Sequence, residues 1–369
     1  MSAKWQSRAR AGLIAILAVC ASAAQSRDPL PVPDLPGMKT LKCDFHVHTV
    51  FSDGEVWPAT RVEEAWREGL DAIALTDHAG VHPHAPDVST DLRRPYAIAL
   101  PEAKRAGIIL IQGVEIAEGN LHCNALFVTD PNVFTGQKLL DALRTAKEQR
   151  AFVFWNHPGW KHKPEWFPLI ASAYDEHLFQ GVELVNDRDF YPEVFPWIAE
   201  RSLTILADSD THVPTSAQYA PRERPVTLVF ARTADAEGIR EALLARRTAA
   251  WMGGQVWGAD EHLAGLWAGA VAIGNSRFVF TRDSRRALLR IRNRSALPFR
   301  LRVAETPAWL FVGEGDVPAE REAGLPLAVA KNAPPGEHQI ELRFEVLNLH
   351  SAPDHNLAVR VPISVEVQP

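Results

Sequence analysis

His46 and His48 stand one residue apart in the run Asp44-Phe45-His46-Val47-His48-Thr49, and Ser52-Asp53-Gly54 follows. On a strand, residues two apart point to one side, so both imidazoles can meet one metal ion. The pairing of imidazole with acid recurs along the chain. Thr76-Asp77-His78 follows an apolar run, and Gly113-Val114-Glu115-Ile116 ends another. His122 opens a strand ahead of Asn124. Phe152-Val153-Phe154-Trp155 runs into Asn156-His157-Pro158-Gly159, and the run 203–207 ends in Asp208-Ser209-Asp210-Thr211-His212. A carboxylate amid Ile and Val is costly without a cation or a hydrogen-bond partner. Imidazoles and carboxylates converging from several strand ends suit divalent ions and non-redox hydrolysis.

The elements that must bring these groups together alternate. Apolar runs at 41–47, 71–75, 108–116, 125–128, 151–155, 181–185, 203–207 and 226–230 predict strands. Amphipathic stretches at 61–68, 103–106 with its upstream turn, 137–149, 193–200 and 234–245 predict helices. Such alternation implies βα units on a parallel sheet, closed here into a distorted βα barrel of about seven units with functional groups at the C-terminal ends of its strands. Past residue 270 the period drops to two. Ile340, Leu342, Phe344 and Val346 alternate with Glu341, Arg343 and Glu345, and Leu357, Val359, Val361, Ile363, Val365 and Val367 continue the pattern. That predicts a small antiparallel β-sandwich-like domain over 270–369, behind a catalytic domain at 40–258.

The motif order H-x-H-T-x-x-S-D-G, T-D-H, G-x-E, a lone His, N-H-P and S-D-x-H, over about residues 40–252, resembles the PHP (polymerase and histidinol phosphatase) superfamily. That resemblance implies a distorted seven-stranded barrel and a metal-dependent phosphoesterase using two or three divalent ions, Zn, Mn or Fe. The runs 39–53 and 62–78 look closest to secreted bacterial PHP phosphodiesterases acting on organophosphate diesters. Carried over by position, the resemblance implies one ion on His46, His48, Glu115 and Asp210. A second falls on Glu115, His122 and His157, with Glu115 shared, and a third on Asp53, His78 and His212. Many relatives carry histidine where this chain has Asp53. Ions in such a site acidify water to hydroxide, which attacks phosphorus in line. Lys161, Arg188 and Arg222 follow ligand-bearing strands and are candidate cations for the phosphoryl oxygens. Asp77 is a candidate for orienting a ligand or moving a proton, and Glu183 for supporting one. Trp155, Trp160, Trp166 and Trp197 could rim an organic ester group or pack the core, whereas His82, His84 and His162 read as solvated loop residues.

Composition narrows the class. With 369 residues, 23% charged, and a formal charge of −6, the chain has no basic face for a processive nucleic-acid enzyme. A small-molecule phosphoester is the expected partner, and what the C-terminal domain contacts is left open. Lys4, Arg8 and Arg10, the apolar stretch 11–20 and Ala21-Ser22-Ala23 read as an export signal over 1–23, which makes the protein secreted or periplasmic. A lipid anchor on Cys20 is the alternative. The proline-rich 24–39 reads as an extended lead-in, and no stretch is long and apolar enough to span a membrane. Cys43 and Cys123 do not make a disulfide framework. Export argues against a histidinol-phosphatase-like monoesterase, and the filled ligand set against a non-catalytic metal- or phosphate-binding protein.

Overall fold

The computed structural model describes residues 26–369; residues 1–23, read above as an export signal and including Cys20, lie outside them. Strand β1 (Lys39–Val47) pairs in parallel with β2 (Ala72–Leu75), and β2 with β3 (Ile109–Glu118). There the sheet departs from the all-parallel expectation. Only Gly119 and Asn120 connect β3 to β4 (Leu121–Leu126), too few for a crossover, so the pair forms an antiparallel hairpin with Gly119 at φ 65°. Strand β4 pairs antiparallel with β5 (Phe152–Trp155), and β5 is parallel to β6 (Gly181–Asn186). The two-residue β7 (Asp189–Phe190) folds back on β6, whose other neighbour is the parallel β8 (Thr204–Asp208). On the far side of β1 lie β9 (Val226–Ala231), β10 (Thr248–Met252) and β11 (Gln255–Gly258), each antiparallel to its predecessor in the sheet.

This mixed sheet curls until β8 faces β1, β9 and β10. Among the described residues no ladder joins β8 to them. The contact is made by a bridge between Val47 and Thr211 and by side-chain bonds, among them Phe45 N to Asp208 Oδ1, Ala207 N to Thr227 Oγ1 and Thr248 Oγ1 to Ile205 O. Helices α1 (Pro58–Arg67), α2 (Arg94–Ala106), α3 (Leu139–Glu148), α4 (Pro168–Asp175), α5 (Phe195–Arg201), α6 (Thr215–Gln218) and α7 (Ala236–Leu244) connect the strands. Proline in the first turn starts α1, α2 and α4, where a missing N–H costs nothing. Helix α3 buries Leu139, Ala142, Leu143 and Ala146, one face at helical spacing. Helix α2 is longer than its sequence suggests, because Pro101 in its interior masks the pattern.

Helix α8 (Asp260–Ala270) leads into the C-terminal half. Its strands are β12 (Val271–Ile273), β13 (Arg277–Phe280), β14 (Arg286–Asn293), β15 (Phe299–Glu305), β16 (Leu310–Val312), β17 (Gly315–Val317), β18 (Glu322–Val329), β19 (Gly336–Ala352) and β20 (His355–Val367). One antiparallel sheet runs β12-β14-β18-β16. The facing sheet holds β13, β20, β19, β15 and β17, and β19 also pairs in parallel with β11. The two halves therefore share hydrogen bonds and one apolar core, in which Leu263 and Leu266 of α8 meet Phe299 and Leu349. The proline-rich lead-in is a strap. Leu30 and Leu35 are buried, Arg27 donates to the Leu70 carbonyl, and Ala296 N donates to Pro31 O in the other half. No helix among the described residues is long and apolar enough to cross a membrane.

Candidate metal centre

Alternation along β1 turns Asp44, His46 and His48 to one side; Glu115 on β3 and His122 on β4 face the same mouth, and the loops after β1, β2, β5 and β8 bring Asp53, His78, His157, Asp210 and His212 to it. Two glycines shape these loops. A Cβ at Gly54 would lie 2.8 Å from the His48 carbonyl carbon and the Thr49 nitrogen, so only glycine lets the turn fold back under β1. At Gly159 a Cβ would meet the Tyr191 ring at 2.7 Å, fixing the turn that follows His157. His157 at φ 28° and Asp210 at φ 49° hold left-handed backbone, strain of the kind that collects at functional sites. Arg61 of α1 ties the mouth together from below, donating to the carbonyls of His48, Thr211 and Val213.

Glu115 is the hub. Its Oε2 lies 3.2 Å from His46 Nε2, 3.1 Å from His48 Nε2 and 3.2 Å from His78 Nδ1. Its Oε1 lies 2.8 Å from His122 Nδ1 and 3.4 Å from His157 Nε2. Asp210 Oδ1 is 3.1 Å from both His46 Nε2 and His48 Nε2. Asp53 is 3.3 Å from His212 Nε2 and 3.7 Å from His78 Nε2. Three sets of donor atoms are close enough to share an ion: His46, His48, Glu115 and Asp210; His78, Glu115 and His122; and His48, Asp53, His78 and His212. All nine residues singled out in the sequence thus lie in one cluster. The geometry differs in detail from the family's pattern, since His78 stands between two sets and His157 belongs to none of the three.

The cluster fits divalent cations on its own chemistry. Among the described residues nine buried side-chain atoms lack a hydrogen-bond partner, and five belong to it: His48 Nε2, Asp53 Oδ1, His78 Nδ1, His157 Nδ1 and Asp210 Oδ1. Such atoms cost about 1–3 kcal/mol each when nothing pairs them. Ring orientation is fixed from behind. His46 Nδ1 meets Glu183 Oε1 at 2.9 Å, and His212 Nδ1 meets the Asp210 carbonyl at 2.8 Å. His48 Nδ1 lies 3.3 Å from Ser52 Oγ, which itself donates to Asp77. Each contact keeps a proton on Nδ1 and leaves the Nε2 lone pair for the cluster.

Without a cation, the carboxylates draw protons onto the rings. Burial opposes charge on His46, but Asp210, Glu115 and Glu183 hold its pKa well above the ordinary histidine value. For His48 burial is likewise outweighed, and bonds to Asp210 and Glu115 raise it to about 9. His78 goes the other way, to about 4, because burial is reinforced by His48 and His122. Burial pulls Glu115 and Asp210 upward, yet the surrounding imidazoles keep both below the usual carboxylate range. Burial pushes Glu183 up.

The candidate helpers separate. Asp77 accepts from Thr49 N at 2.7 Å, Thr49 Oγ1 at 2.8 Å and Ser52 Oγ at 2.7 Å, so its two oxygens lock the turn beneath His48. Lys161 holds its ammonium 3.7 Å above the Trp160 ring, which itself packs against His122 and His157 at 5.0 and 5.4 Å. Arg188 is exposed and donates to the Gln218 carbonyl, beside Tyr219. Arg222 is drawn away from the cluster: it pairs with Asp28 of the lead-in and Glu320 of the C-terminal half. Trp155, stacked on Trp197, and Trp166, which meets both at an angle, pack at the core, which leaves Trp160 as the one of the four tryptophans beside the cluster. His82 Nδ1 bonds the Phe51 carbonyl at 2.9 Å, and His162 packs on Phe167. Cys43 and Cys123 are buried free thiols.

Several supports went unread in the sequence. Asp44 accepts from Arg224, Ser209 and His46 N; the i, i+2 rule that pairs His46 with His48 also marks it. Asn156 donates to Glu115 Oε1 at 2.9 Å and to Asn124 at 2.9 Å, and Asn124 donates to the Phe45 carbonyl. Arg224, bridging Asp44 and Glu68, carried no signal, since its partners lie more than 150 residues away.

A family model described as PHP domain matches residues 44–206. A two-domain protein of Bacteroides vulgatus ATCC 8482, described as containing a predicted PHP-like metal-dependent phosphoesterase, is 36% identical. It superposes with a TM-score of 0.84, the match covering 92% of this chain and 100% of that one. An uncharacterised protein of Methanocaldococcus jannaschii is 42% identical over 78 residues, 21% of this chain; the matched part is 34% of that relative's length. Fold and cluster define a two-domain α/β protein with a histidine and carboxylate centre suited to metal. The chain belongs to the PHP family.

Proposed function

We propose that this protein is a metal-dependent phosphoesterase whose preferred substrates are phosphodiesters of small organic molecules. The observation that carries the reading is the hub: one buried carboxylate, Glu115, within 3.4 Å of five imidazoles. His46, His48, Glu115 and Asp210 would hold one ion, His122 and His157 with Glu115 a second, and Asp53, His78 and His212 a third. Divalent ions there supply the positive charge that acidifies water and holds phosphoryl oxygens. The chain's own residues prepare that charge. Glu183 and the Ser52–Asp77 pair keep the lone pairs of His46 and His48 on the cluster. Asp53 and His212, about one-third exposed, form the entrance, and Trp160 packs against His122 and His157.

The preference for diesters rests on charge. A diester carries one negative charge and needs less cationic compensation than a monoester dianion. Arg222 is committed to Asp28 and Glu320, and Arg188 leans on Gln218 and Tyr219. Lys161 is the one of the three that rests on Trp160, the ring packed against His122 and His157. We also read the curled sheet as a distorted barrel, and the enzyme as exported, the latter from residues 1–23 alone. Comparing kcat/KM for bis(p-nitrophenyl) phosphate and p-nitrophenyl phosphate, with Mn²⁺ or Zn²⁺ added, tests the reading. Faster diester cleavage is expected. A clear monoester preference moves the protein to the phosphatase branch, and no turnover of either ester by metal-loaded protein contradicts a hydrolase.

A further inference from the structure

Trp160 differs from the chain's neighbouring tryptophans in where it stands. Its backbone N–H bonds the His157 carbonyl at 2.9 Å, and the Gly159 beneath it is pressed against Tyr191. One side of the indole is braced by the rings of His122 and His157. Over its face, 3.7 Å from the ring centre, lies the ammonium of Lys161, an exposed side chain on a flexible stem. The indole is therefore braced, half-buried and within one ring's width of candidate ligands, with one π-face under a displaceable ammonium. A braced aromatic face of this kind favours a planar aromatic partner over an alkyl one, by stacking beyond the area it covers.

We infer that Trp160 builds a subsite for a planar aromatic ester group, one carried by the phosphodiester but not itself cleaved. The inference rests on the phosphodiesterase reading. The aromatic group displaces the Lys161 ammonium from the indole face and stacks there while the phosphate meets the cluster. Lys161, freed from the ring, turns toward the single negative charge of the ester. Trp160 is in this account a specificity residue, and it takes no part in bond breaking.

Two diesters with one leaving group isolate the effect: phenyl p-nitrophenyl phosphate and methyl p-nitrophenyl phosphate. The metal-loaded full-length protein should favour the phenyl ester by about five- to tenfold in kcat/KM. Trp160→Ala should bring that ratio close to one, and Trp160→Phe should keep most of it. Lys161→Ala leaves the indole face in place, so a phenyl preference should persist. A purely structural role for Trp160 would lower both rates and leave the ratio unmoved, so an unchanged ratio in Trp160→Ala overturns the inference. Calorimetric titration with phenylphosphonate and methylphosphonate gives a reading independent of turnover. Should neither diester be cleaved, the hydrolase reading fails on its own. A phenyl preference in binding that Trp160→Ala removes would still support the subsite, and its absence or persistence would overturn it.

Discussion

In the C-terminal sheets the interior is almost wholly apolar. Leu289, Ile291, Leu342, Phe344, Val361 and Val365 fill it, and the buried polar side chains Asn293, Ser295 and Asn348 bond nearby carbonyls. At the strand ends of the N-terminal half, five histidines are buried with Glu115, most of Asp210 and a one-third-exposed Asp53. Burying ionisable groups together opposes folding unless each is paired. The first region is arranged for stability, and the second gathers buried charge that divalent cations would satisfy. The two meet through β11–β19 pairing and a shared core, so the apolar half steadies the sheet whose far ends carry the cluster.

Substitutions should therefore act differently in the two regions. His46→Ala or Asp210→Ala should reduce phosphoester hydrolysis to background while the far-UV circular dichroism stays that of the parent, because the strands do not depend on the ligands. Wild-type turnover by either metallated variant would break the distinction. Phe344→Ala should lower unfolding free energy by about 3–5 kcal/mol, as large-to-small changes in packed cores do. Metal bound per folded molecule should not change, and denaturant titration with metal analysis checks both.

Smaller effects should follow from groups that only orient. Ser52→Ala frees His48 Nδ1 and should weaken metal binding about 10- to 100-fold, with fold stability little altered; a competition titration with a chelating dye would measure it. The pH dependence follows from His48. Its pKa in the metal-free protein, about 9, lies above the ordinary 6.5. Its contribution to metal-free stability is thus full below about pH 6.5 and is lost as pH rises toward 9. Metal needs the neutral ring, so affinity should climb through that window, which calorimetry at several pH values would show. Smallest of all, Arg222→Ala breaks partly exposed ion pairs and should cost less than about 1 kcal/mol in a melting experiment.

How much of this was legible in the sequence depended on range. The strand ends carrying His46, His48, Glu115, His157 and Asp210 follow from local alternation and polar punctuation, and so does the period-two pattern of β19 and β20. The sheet's mixed direction hung on a two-residue connection, since β3 and β4 extend to Glu118 and Leu121 beyond their apolar runs. Helix α2 was hidden by Pro101. Long-range partnerships such as Arg224 with Asp44, or Arg222 with Asp28 and Glu320, leave no local trace. Arg222 read as a candidate cation for that reason, although it clamps the lead-in to the C-terminal half.

The central claim is that Glu115 gathers metal ions at the mouth of the curled sheet. Metal analysis after equilibration with Mn²⁺ or Zn²⁺, on the parent and on Glu115→Ala, tests it most directly. Two or three ions per chain in the parent and no more than one in the variant are expected. A parent that retains no metal, or a variant that retains as much as the parent, would contradict it.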